Sequence, residues 1–149
     1  MLKIFTRLAA LAVLSLGAGG VLAQDSVPYT EGAVVNVSSI RTEPGQFNAY
    51  MRYLAGPYRK VMDEAKAQGL VTEYSFYAAQ PKNPGDPDLY LVTVYPNFAV
   101  FDGLSDKMDA ISNKVWGSMS ASESAEVDRE KIRKVLGTEL LRELKLKLE

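Results

Sequence analysis

The heptapeptide LYLVTVY, residues 89 to 95, is apolar on both of the faces that a strand would present. Side chains alternate along a strand, so Tyr90, Val92 and Val94 share one face while Leu89, Leu91, Thr93 and Tyr95 share the other. A layer of helices removes one of these faces from water. The other face of a small sheet would leave an apolar patch larger than monomers usually expose, so a second subunit is expected to cover it. The strand therefore demands cover on two sides, and the rest of this chain has to supply one of them.

The remaining periodicities supply helices and three more strands. AVVNVSSIR, 33 to 41, is β-branched and bounded by turn residues and reads as strand 1. TEPGQ follows, with Pro44 suited to the first turn of a helix, where its missing amide costs nothing. At 100° per residue, Phe47, Tyr50, Met51, Leu54, Tyr58, Val61, Met62 and Ala65 form one stripe, with Arg52, Arg59, Asp63 and Lys66 opposite. Gly69 suits a left-handed cap at the end of that helix. LVTEYSFYA, 70 to 78, reads as strand 2, and AQPKNPGDPD, with its three prolines, as a stiff loop before strand 3 at 89 to 95.

Pro96-Asn97 then opens a second helix with Asn97 as N-cap. Its stripe is Phe101, Leu104, Met108, Ile111 and Val115, with Trp116 at the edge and Gly117 as the stop. SMSASESAEVDREKIRKVLG suggests a weaker third helix in which Ser120 and Glu123 have capping-box spacing. TELLRELKLK, 138 to 147, alternates as strand 4. The order is βαββα(α)β. With a right-handed crossover it predicts an α+β, ferredoxin-like sandwich, helices covering one face of a four-stranded antiparallel sheet.

The ends bound the compartment. Lys3 and Arg7 precede an apolar run from Leu8 to Leu16, and a small-residue stretch ends in Val21-Leu22-Ala23. That order is the signature of a secretory signal peptide cleaved after Ala23. The apolar run is too short to span about 30 Å of hydrocarbon. Residues 1 to 23 are thus expected to direct export to the periplasm or the medium, with 24 to 32 a flexible leader and 33 to 149 the domain. No membrane span is expected after cleavage. Loss of Lys3 and Arg7 leaves 15 of the 17 basic residues against 18 acidic ones, with no basic block, so nucleic acid is not an expected partner.

The chain has no cysteine and no histidine. That removes thiol and Ser-His-Asp nucleophiles, Cys or His zinc sites and imidazole-ligated haem. No cofactor and no metal is expected. The pairs Asp86/Asp88 and Asp102/Asp106 resemble hard-metal ligands only loosely, and solvation accounts for them. Any proton transfer falls to Asp, Glu, Lys or Tyr.

Four passages, TEPG into a long helix, YLAGPYRKVMDEAKAQGLV into strand 2, DLYLVTVYPN into helix 2, and TELLREL at the end, resemble the dimeric α/β-barrel superfamily. The resemblance covers most of residues 33 to 147 and is one of architecture. It implies two ferredoxin-like subunits with their sheets pressed together and helices outside. It also allows cofactor-independent oxidation or isomerisation of a small aromatic or lactone substrate, among several activities. The haem branch of that superfamily usually relies on a histidine, which is absent here.

Candidate site residues follow from the phase of the helices. Pro57 removes one helical hydrogen bond and crowds the carbonyl of Tyr53, at about 3 kcal/mol in a regular helix. Either a kink wraps the helix over the twisted sheet, or it leaves room for a ligand. Arg52 and Arg59 lie on the polar stripe, where Arg59 can pair with Asp63. Tyr58, and Tyr50 nearer the edge, lie in the apolar stripe, so each hydroxyl meets either a backbone carbonyl or a polar pocket. Ser105 and Ser112 fall within the stripe of helix 2, where small side chains leave space, and Trp116 either walls that space or closes the core. Tyr50, Tyr58, Ser105, Ser112 and Trp116 are therefore the candidates for a small-ligand pocket between helices and sheet. The alternatives are the oxygenase or isomerase just described, and a structural or partner-binding module.

Overall fold

The computed structural model describes residues 27 to 148; the expected signal segment lies outside the described residues. Two strands are twice as long as the others. β1, Tyr29–Thr42, pairs antiparallel with β4, Arg133–Leu146, along nearly its whole length. The six-residue β2, Glu73–Ala78, and seven-residue β3, Leu89–Tyr95, complete an antiparallel sheet in the order β2-β3-β1-β4. β1 and β2 run parallel with β3 between them, as do β3 and β4 with β1 between them. Each helical connection therefore crosses over one strand, which is the ferredoxin-like arrangement.

The expected leader is shorter than its composition suggests. From Tyr29 it is already strand, because Tyr29, Thr30 and Glu31 pair with Leu146, Lys145 and Leu144. A bulge between Glu31 and Val34 follows. Glu143 reaches into that bulge against Gly32, and its carboxylate accepts the Ala33 amide.

The expected helix at Pro44 starts later. Pro44 and Gly45 form a turn, with Gly45 at φ 77°, and α1 runs over Phe47–Tyr53. A π turn occupies Leu54–Tyr58, and α2 continues over Arg59–Ala67. In the π turn the Arg59 amide donates to Leu54, five residues back, and Gly56 takes a non-helical φ of −100° and ψ of −107°. A wider turn accommodates a proline because pairing shifts around its missing amide. Gly69 leaves the helix at φ 72°. Leu70 and Val71 are buried core residues that donate back to Ala65, so β2 begins at Glu73 and not at Leu70.

The second crossover departs further from expectation. Asn97 is extended, at φ −169°, and caps no helix with its side chain. A 3-10 turn over Phe98–Phe101 and Gly103 at φ 67° come first, and only then α3, Leu104–Trp116, closed by Gly117 at φ 85°. Ser118, not Ser120, caps α4, Met119–Glu130, by accepting the Ala121 amide, so the Ser120/Glu123 box does not form. The expected third helix also ends early. Arg133 to Gly137 belong to β4, where they face Thr42 to Ser39 across a second bulge.

Register fixes the faces. Val34, Ile40 and Thr42 of β1, with Leu89, Leu91 and Thr93 of β3, are buried beneath the helices. Val35 and Val37, with Val92 and Val94, face the other way and carry no helix. Two clusters form the core: Ile40, Tyr50, Leu54, Leu89 and Leu91 under α1, and Met62, Ala65, Leu70, Val71 and Ile111 between α2 and α3. Among the described residues no helix is long and apolar enough to cross a membrane.

Candidate functional site

A cavity of about 210 Å³ opens between α1, α4 and the sheet, where the π turn begins. Its floor is Ser38 and Ile40 of β1 with Leu91 and Thr93 of β3. Its walls are aromatic. Tyr50 and Tyr53 stack with centroids 5.8 Å apart at 18°, and Tyr58 meets Tyr53 edge-on at 6.0 Å and 60°. The three tyrosines converge because positions 50, 53 and 58 straddle the π turn, which adds one residue to the helical period there.

Two arginines complete the wall. Arg129, in the last turn of α4, lies over the Tyr53 ring with its guanidinium carbon 4.8 Å from the centroid. Arg133, the first residue of β4, lies 5.7 Å over the Tyr50 ring. The Arg133 side chain is 10% exposed. Its Nε and Nη1 are sealed from solvent without a hydrogen bond, although the exposed Glu130 carboxylate stands 3.4 Å from Nη1. Neither arginine is solvated like Arg52 and Arg59, the latter of which pairs with Asp63 at 3.4 Å.

The electrostatics keep the tyrosines protonated. Burial pushes the Tyr50 phenol from 10.0 up to about 12, against the opposing pull of Arg133. Burial also raises Tyr58, whose hydroxyl faces the Thr93 side chain, and Tyr53, with Arg129 pulling the other way. At neutral pH all three are hydrogen-bond donors, and no carboxylate lines the cavity. Phenols in this state hold an electron-rich group well and abstract protons poorly.

The five candidate residues separate. Tyr50 lines this cavity, and Tyr58 lines both it and a neighbouring one of about 230 Å³ against α3. Ser112 and Trp116 lie on the second cavity, where Ser112 also hydrogen-bonds Ser122 of α4 at 2.8 Å. Ser105 is exposed and lines neither; the stripe placed it inward, but it sits in the first turn of α3 beside the exposed Asp106 and Lys107. Tyr53, Tyr58 and Arg129 are shared by the two cavities and form the partition. Arg129 and Arg133 escaped sequence reasoning because both fell within an expected helix, where charged residues read as a solvated face.

Of the two aspartate pairs, Asp86/Asp88 does structural work, while Asp102 and Asp106 are exposed. Asp86 accepts from the amides of Lys82 and Asn83 in the proline-rich loop, and Asp88 accepts from the amide and hydroxyl of Thr42. A larger cleft of about 330 Å³ lies there, but Asp86 and Asp88 are already engaged by backbone amides and Glu43 pairs with Lys134 at 3.3 Å. Among the described residues no group of three or more acidic side chains could hold a metal ion.

Fold and cavity together define a ferredoxin-like α+β sandwich with a tyrosine- and arginine-walled chamber under a helical π turn. No protein-family model matches the chain, and no curated protein matches it. Among solved structures, HapK from Hahella chejuensis is similar at a TM-score of 0.45 and 15% identity, over 74% of this chain and 91% of its own. A dimeric ferredoxin-like protein of unknown function from Thermobifida fusca is similar at a TM-score of 0.41 and 11% identity, over 79% of this chain and 95% of its own.

Proposed function

We propose that this chain is an exported, homodimeric α/β-barrel protein that binds a small organic molecule in the chamber between α1, α4 and the sheet. The chamber itself carries the reading: about 210 Å³ of space persists inside the helix–sheet layer, walled by three protonated tyrosines. An apolar cavity of about 150 Å³ admits a benzene ring, so a monocyclic ligand fits. Binding is favoured over proton abstraction because the phenols are held protonated and no carboxylate lines the space. Phenol serves as the probe. Titration of the chain from residue 24 onward, followed by NMR, should move the Tyr50 and Tyr58 signals at millimolar phenol, and Thr93→Met, which fills the floor, should abolish the effect. Unmoved signals with phenol and with other neutral monocyclic probes would defeat the reading.

The dimer rests on the sheet. Val35, Val37, Val92 and Val94 lie on the helix-free face, and Tyr77, on the same face by its pairing with Tyr90, is 57% exposed. Beyond β3, the ends of β1 and β4 continue as a two-stranded arm whose Leu144 and Leu146 are 52% and 78% exposed. A two-stranded ribbon is marginal by itself in water, and a self-complementary apolar face is what an isologous pair buries. Light scattering at micromolar concentration should return twice the chain mass, and Val92→Asp should halve it. A wild-type monomer would favour a partner-binding module instead.

A further inference from the structure

Arg133 is the buried group that neutral-ligand binding leaves unexplained. A guanidinium carries five donors and cannot shed its proton. Nε and Nη1 of Arg133 are sealed against protein and unsatisfied, its side chain is nine-tenths buried, and the rest of its guanidinium forms one wall of the chamber. The Tyr50 ring beneath it offers only a π face, and Glu130, its nearest carboxylate, is 58% exposed and off hydrogen-bonding geometry. Arg129 adds a second positive charge to the same wall, and no acidic side chain lines the space itself, Glu130 standing outside it. The Glu130 carboxylate at 3.4 Å offsets only part of the cost of taking this cation out of water, being 58% exposed, and a carboxylate that enters the chamber recovers more of it.

Resting on the ligand-binding reading above, we infer that the chamber is built for a planar monocyclic carboxylate of benzoate size, its carboxylate against Arg133 and its ring between Tyr50, Tyr53 and Tyr58. Volume sets the size: a ring with one small substituent fills about the space available. The walls set the planarity, because stacked and edge-on tyrosines leave a slot in which a flat ring makes favourable offset or edge contacts. The floor is mixed: Ser38 and Thr93 carry hydroxyls beside aliphatic Ile40 and Leu91, and Ser38 and Ile40 lie along β1 from Thr42, which pairs with Arg133. The charge follows from the guanidinium, which recognises carboxylate geometry better than any neutral amide or alcohol.

Calorimetric titration of the chain from residue 24 onward with sodium benzoate, benzamide, phenol and acetate at neutral pH separates the possibilities. Benzoate should bind at least about tenfold more tightly than benzamide, the factor that one charge-assisted hydrogen bond supplies. Acetate, which keeps the charge and lacks the ring, should also be at least about tenfold weaker. In Arg133→Met, checked for folding by circular dichroism, benzoate should fall to the level of benzamide while benzamide is unchanged. Benzamide or acetate binding as tightly as benzoate to wild type overturns the assignment without any variant, and leaves the ligand-binding reading standing when phenol still binds. Undiminished benzoate binding by Arg133→Met overturns it as well. Failure of all four probes defeats both readings together.

Discussion

The helix layer covers the sheet in two different ways. Between α2 and α3, Met62, Ala65, Leu70, Val71 and Ile111 close to between 0% and 7% exposure, with the partly buried Tyr74 and Tyr95 packed at the margin. Under α1 and α4, three tyrosines and two arginines surround a chamber. Aliphatic side chains interdigitate to crystal-like density because every surface is interchangeable. Rings and guanidinia carry polar ends that must be met, so they stop short of one another and space remains. Tyr58 packs against both clusters, and the π turn that holds it is the seam. One layer of one sandwich thus contains tightly packed aliphatic clusters and polar-walled spaces, which meet at a single irregular turn.

The largest expected effect lies in the packed half. Ile111→Ala should lower unfolding free energy by about 2–5 kcal/mol in urea titration at fixed protein concentration, through lost burial and the cavity left behind. Tyr50→Phe, across the seam, removes only a hydroxyl and should lose less than about 1.5 kcal/mol. A reversal of that order would break the contrast.

Alkaline unfolding comes next and sharpens it. The Tyr50 phenol has its pKa raised from 10.0 to about 12 in the folded chain, by burial above all. Between those values the unfolded state releases the proton and the folded state keeps it. Stability is therefore full below about pH 10 and declines as pH rises toward 12. Circular dichroism across this range should show the decline in wild type, a shallower one in Tyr50→Phe, and an unchanged slope from a lower start in Ile111→Ala.

The smallest effect concerns how α4 is held over the chamber. Ser112 and Ser122 join α3 to α4 through a 2.8 Å hydrogen bond. Ser112→Ala should cost about 0.5–1.5 kcal/mol and raise amide exchange in α4 more than in α2. Equal exchange in both helices would show that α4 is positioned by other contacts.

Much of the fold was legible along the chain. β3 occupies residues 89 to 95 as its alternation indicates, and Gly69 and Gly117 close their helices in the left-handed region that their place in the pattern requires. The stripe from Phe47 to Ala65 marks the buried face on both sides of Pro57. What misled was local ambiguity. IRKVLG satisfies helical spacing as well as strand alternation, and only the long ladder with Thr42 to Ser39 decides for strand. That decision puts Arg133 inside the molecule, beside Arg129 at the end of the preceding helix.

The sequence by itself determined the periodicities, the breaks between them and a strand greasy on both faces, because those depend on residue type and spacing within a few turns of chain. Tertiary structure alone decided that positions 50, 53 and 58 meet positions 129 and 133, since that encounter requires β4 to return alongside β1. Hydrophobic pattern specifies which face a residue presents; charge burial is settled by what lies opposite once the layers close.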